Sequence, residues 1–129
     1  MRVFKTKVFA RFARREHIGD TSLIEAAHRA ARGLIDAELG GGVIKQRVGR
    51  PGQGRSGGYR VLMAYRPKVR AIFVYGFAKS ERESIGEDEL ATLRDIAKAW
   101  LQADADRIEK ALAHGAIVEV HDEDGQNKA

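Results

Sequence analysis

The sequence predicts an α+β protein, and three observations carry that prediction. Apolar residues in 23–34 and 90–101 recur at helical spacing. Between them, residues 43–79 fall into runs rich in Val, Ile, Phe and Tyr, separated by turn residues. With 43% hydrophobic and 32% charged residues in 129, the chain has the composition of a globular protein and the length of one domain. The expected arrangement is an N-terminal helical hairpin packed on a small antiparallel β-sheet, then a long C-terminal helix. Residues 3–101 form the core of this single domain, and 102–129 add a short helix and strand as an extension.

Taken in order, Val3 to Phe9 reads as a strand, and Phe9, Phe12 and Ala13 recur at helical spacing through Arg15. Ser22 with Glu25 three residues on has the pattern of a capping box, and Leu23, Ala27, Ala30 and Leu34 share one face. A second helix is therefore expected to run to about Ile35, with Gly40 to Gly42 ending the hairpin. Three β-like runs follow, Val43–Val48, Tyr59–Arg66 and Arg70–Lys79, with Pro67-Lys68 as the tight turn between the last two. Sequential runs this close are expected to be antiparallel neighbours. Glu87, Asp88 and Glu89 place negative charge at a helix start, and Leu90, Leu93, Ile96, Ala97, Trp100 and Leu101 form its apolar stripe. Residues 104–114 read as a short helix, 116–120 as a strand able to add to a sheet edge, and HDEDGQNKA as a frayed end.

The net charge of +5 conceals an asymmetry. Residues 1–82 hold 18 lysines and arginines against 6 acids, whereas 83–129 hold 5 against 12. From Leu39 to Ser80 there are nine basic residues and no acid. A surface of that sign attracts phosphate, so a polyanionic partner is expected in preference to a merely solvated basic face. Cysteine is absent, which excludes disulfides and thiolate metal sites. No apolar run has the length of a membrane span or signal core, so a cytoplasmic protein with no membrane partner is expected.

Within the basic region, GRPGQGRSGGYR (49–60) mixes glycine with arginine. Glycines such as Gly57 and Gly58 let backbone N–H groups approach a phosphate, and arginine forks grip two of its oxygens. A Walker A loop is excluded, because G-x-x-x-x-G-K-[ST] does not occur. Alternation puts Val43, Lys45 and Arg47 on one strand face. The strands can thus gather Lys45, Arg47, Arg50, Arg55, Arg60, Lys79 and Arg82 around one sheet face and its rim. Arg60 is expected to face solvent at a strand end, Tyr75 to be a half-buried strand aromatic, and Glu81 to pair with Arg82. His17, His28, His114 and His121 lie outside this region and read as surface or packing residues.

The stretch VIKQRVGRPGQGRSGGYRVLMAYR, followed by AIFVYGFAKSERESIGEDELATL, resembles the RelE/HigB branch of the RelE/ParE toxin superfamily. The similarity runs from about Phe4 to Leu101, and its most specific parts are the basic strand, the glycine-rich G-Y-R loop and the F-A-K-S-E-R ending. The resemblance implies an endoribonuclease of a type II toxin–antitoxin module that cuts messenger RNA, usually on the ribosome, and a cognate antitoxin as partner. It implies Lys45 as general base and Arg47 and Arg60 as phosphate-steadying cations, with neither metal nor cofactor. Ribosome-dependent relatives carry an arginine directly after the lysine at position 79 and an aromatic a few residues on. Here Ser80 and Ile85-Gly86 stand there, leaving Lys79, Arg82 or Tyr65 to take over. That departure keeps a ParE-like gyrase inhibitor as an alternative, with a non-catalytic nucleic-acid-binding module as a third reading.

Overall fold

The computed structural model describes residues 1–50 and 57–121. The chain opens with strand β1 (Arg2–Thr6), which sends Val3 into one core and Phe4 into another. The strand stops at Thr6, short of Phe9, because the Thr6 hydroxyl accepts the Phe9 N–H at 3.1 Å and caps helix α1 (Lys7–Glu16). Helix α1 closes at His17 in the left-handed conformation, φ 59°. Helix α2 (Asp20–Ala31) starts one residue after Gly19, so Ser22 lies within its first turn and the expected Ser22–Glu25 capping box is not formed. It also ends before Ile35. Gly33 turns the chain at φ 84°, Leu34 is exposed, and the Leu34 N–H returns to the Arg29 carbonyl at 2.8 Å.

An unforeseen strand follows, β2 (Ala37–Gly40), paired antiparallel with β3 (Val43–Val48). Gly40 to Gly42 therefore turn a β-hairpin instead of ending a helical one, and all three have positive φ. Gly42 is doubly constrained, since a Cβ there would lie 2.4 Å from Leu101 Cδ1. Strands β4 (Tyr59–Arg66) and β5 (Arg70–Ala78) follow the expected pattern, with Lys68 at φ 68° in the turn between them. Helix α3 (Glu87–Gln102), helix α4 (Ala105–His114) and strand β6 (Ile117–Glu119) complete the described chain.

The sheet order is β2-β3-β4-β5-β1-β6. It is mixed, not antiparallel as expected, because β1 lies parallel to β5 with Phe4 opposite Ile72. β6 then pairs antiparallel with β1 at the edge, the place expected for a C-terminal strand. Helices α1 and α2 cover one sheet face over Val3, Ile44, Val61, Met63 and Phe73. Helices α3 and α4 cover the other over Phe4, Val43, Leu62, Ile72 and Ile117. Each fully buried aliphatic or Phe side chain contributes roughly 1.5–3 kcal/mol, so two such cores hold the layers in place.

Helix α3 has no basic residue in its last turn, and strand residues supply the missing charge. Arg70 Nη1 donates to the Trp100 and Ala103 carbonyls at 2.9 and 2.8 Å. Among the described residues no helix is long and apolar enough to cross a membrane.

Candidate functional site

The strand registers align side chains in rows on the α3-covered face. Lys45 lies opposite Leu62, which lies opposite Tyr75. One step along, Arg47 faces Arg60, and Arg60 faces Phe77. A further step brings the Lys79 N–H to the Gly58 carbonyl at 3.0 Å. A bulge in β5 opposite Leu62 and Met63 lets Val74 and Tyr75 share this face, since both belong to the α3-side core. Lys45, Arg47 and Arg60 therefore project together at the end of the sheet nearest the glycine-rich loop.

Arg60 differs from its expected setting. Only 7% exposed, it is enclosed rather than facing solvent. Burial lowers its proton affinity first and Arg47 second, with Asp36 and Glu83 acting in the opposite sense. Directly opposed like charges on neighbouring strands are unfavourable, so the fold holds Arg47 and Arg60 together against their repulsion.

Arg82 reaches the same face, above the Phe77 ring at 5.6 Å, with its Nη1 3.3 Å from the Tyr75 hydroxyl. Its fork is occupied by Glu89, at 3.1 and 2.6 Å, and its Nε donates to the Ser84 carbonyl at 2.9 Å. The expected Glu81–Arg82 pair is replaced by this Glu89 pair, Glu89 lying in the first turn of α3 within reach of the Arg82 fork. Arg82 and the Gly86 N–H hold the Glu89 carboxyl down at about 2. Lys79 Nζ lies 4.0 Å from Glu83, a long and exposed pair.

Other expected members are not brought to this cluster. Arg50 stacks on the Tyr59 ring at 5.0 Å, and Tyr59 belongs to the α1/α2 side of the sheet. Tyr65 packs against that same core at the far end of β4, so it is remote from Arg60 in both face and register. Gly58 is buried, and a Cβ on it would meet the Val48 carbonyl oxygen at 2.3 Å, which gives it a steric role in the hairpin. Gly57 has open space around it. Arg55 lies outside the described residues. The histidines sit elsewhere: His17 closes α1, His28 is exposed on α2, His114 bonds the Lys110 carbonyl on α4, and His121 follows β6.

Tyr75 is the site residue that sequence reasoning passed over. Alternation counted without the bulge gives no reason to single it out, yet its hydroxyl meets Arg82 on the cationic face.

A mixed six-stranded sheet between two helical layers, with cations gathered on one face beside a glycine-rich hairpin, defines a small α+β protein whose charged face suits phosphate. Residues 1–120 match the family described as the RelE toxin of the RelE/RelB toxin–antitoxin system, and the match takes in α4 and β6. The chain belongs to that family, the toxin half of such systems, and the family implies a RelB-type antitoxin as partner. A search of the curated proteins found no match.

Proposed function

We propose that this toxin is a metal-independent endoribonuclease that cuts messenger RNA on the ribosome, with Lys45, Arg47 and Arg60 as its centre. The observation that supports it most is the juxtaposition of those three side chains in adjacent rows of one sheet face. RNA cleavage by this route needs a base, cations for the pentavalent phosphate, and an acid for the departing oxygen. Lys45, in its neutral form, takes the proton of the 2′-hydroxyl, which attacks the adjoining phosphorus. The P–O5′ bond breaks, leaving a 2′,3′-cyclic phosphate on one fragment and a 5′-hydroxyl on the other.

Arg47 and Arg60 bear the charge that builds on the phosphate oxygens. Arg60 is suited to this, because a desolvated guanidinium gains more from a new anion than a solvated one does. With Arg82 held by Glu89, Lys79 is the rim cation to which we assign protonation of the leaving oxygen. Arg50, Arg55 and the exposed Gly57 backbone bind flanking phosphates, Gly58 shaping the hairpin beside them, and Tyr75 takes the part first assigned to Tyr65.

The test is a pulse of expression in a bacterial host, followed by mapping of messenger RNA 5′ ends with and without Arg60→Ala. New ends in phase with codons that vanish in the variant support the proposal. Growth arrest without new ends moves the target to DNA topology, and no arrest leaves a binding surface alone.

A further inference from the structure

Beyond Lys45 the outer edge of β3 has no strand partner among the described residues, since β2 reaches only to Ala37 in their register. Arg47 thus exposes a backbone N–H and C=O at the point where its side chain must face Arg60. Two side chains satisfy them. The Arg47 N–H donates to Asp36 Oδ2 at 2.8 Å, and Arg29 Nη2 donates to the Arg47 carbonyl at 2.5 Å. Arg29 is itself held, with Nε 2.7 Å from Glu25 Oε2 and Nη1 3.4 Å from Asp36 Oδ2, at only 5% exposure. The wholly buried Gln46 next door accepts the Asp36 N–H at 2.7 Å and donates to the Ala26 and Leu34 carbonyls.

From this we infer that Asp36 and Arg29 are positioning residues for Arg47: a carboxylate and a guanidinium stand in for the missing strand and fix Arg47 beside Arg60. The inference rests on the proposed RNA cleavage for its functional part. An unsupported strand end carrying two opposed cations would splay, because repulsion of like charges across strands acts on the residue with the fewest backbone bonds. Clamping both backbone groups removes that freedom. Neither Asp36 nor Arg29 needs to touch RNA.

The experiment combines a double-mutant cycle with amide exchange. Asp36→Ala, Arg47→Ala and the double variant are assayed on ribosome–messenger RNA complexes, with Asp36→Asn as the conservative variant. The exchange rate of the Arg47 amide is measured in the wild type and in Asp36→Ala, which leaves Arg29 its bond to Glu25. Asp36→Ala should lower kcat about tenfold and KM less than twofold, and should add almost nothing once Arg47 is alanine. Asp36→Asn, which keeps an acceptor oxygen, should recover most of the rate. The Arg47 amide should exchange at least tenfold faster in Asp36→Ala, while the β4 amides do not change.

Equal losses with and without Arg47 would overturn the inference, as would an unchanged rate where Arg47→Ala is impaired. If the wild type cuts no RNA, the proposed function fails instead. The clamp is then judged by the Arg47 amide alone, and unchanged exchange refutes it.

Discussion

Replacing Arg60 by methionine should abolish RNA cleavage and, at the same time, make the protein more stable. The side chain is 7% exposed, its charged form is disfavoured by burial, and it faces Arg47 directly across the strands. The opposed like charges cost about 0.2–1 kcal/mol. Desolvation adds to that cost, and methionine keeps an unbranched apolar stem at the same place. A net gain of about 1 kcal/mol is expected. For a chain of 129 residues that corresponds to a rise in Tm of about 4 °C. Thermal and urea unfolding would be measured on the wild type and Arg60→Met, at low and high salt. Exposed Arg47 is partly screened by salt, so the difference should narrow without vanishing. A fall of several degrees in Arg60→Met would refute the reasoning. It would mean that the bonds made by Arg60 outweigh its desolvation and repulsion, and that the cation pair is not held at a cost.

Gly58→Ala should cost about 3 kcal/mol and free the Lys79 amide, because its Cβ would lie 2.3 Å from a backbone oxygen that cannot step aside; urea unfolding and amide exchange report both. Leu62→Ala, at a wholly buried site of the α3-side core, should cost 2–5 kcal/mol with the urea m-value unchanged, roughly the cost of a cavity there. Glu89→Gln should alter the acid limb of stability. The carboxyl is held at about 2 against an ordinary 4.5, so the unfolded chain binds its proton first, and stability falls as pH drops from 4.5 towards 2. In the variant that limb should flatten over the same window, measured by urea unfolding at stepped pH, and an unchanged slope would show that the fold does not hold the Glu89 carboxyl down.

The strands β3, β4 and β5 were legible from their Val, Ile, Phe and Tyr content between turn residues, and the helix α3 from helical spacing sustained over residues 90–101. Helix α2 was read too long, since Leu34 and Ile35 continue its apolar stripe in sequence although Gly33 has already turned the chain. Strand β2 left no signal: Ala37-Glu38-Leu39-Gly40 has poor strand formers and exists through its pairing with β3. The parallel union of β1 with β5 joins residues about seventy apart, a relation that local pattern does not carry. At the site, Lys45 and Arg47 were placed on one face correctly by counting in twos. Arg50 was not, because β3 ends at Val48 and the count ends with it. Tyr65 was named as a stand-in although alternation from Arg60 along β4 puts it on the other face, and Tyr75 was read as a half-buried strand aromatic because a bulge in β5, which shifts its parity, leaves no mark in the sequence.

The position of β1 has a consequence for how the protein comes into being. Strand β1 lies between the strand that begins at residue 70 and the one that begins at residue 117. During synthesis it waits, with both edges bare, while most of the polypeptide is made. Only when Ile117 to Glu119 emerge can its second edge close, and with it the sheet that carries the cations. A chain cut short before that point leaves one edge of β1 bare, so the strand made late is the one that covers the strand made early.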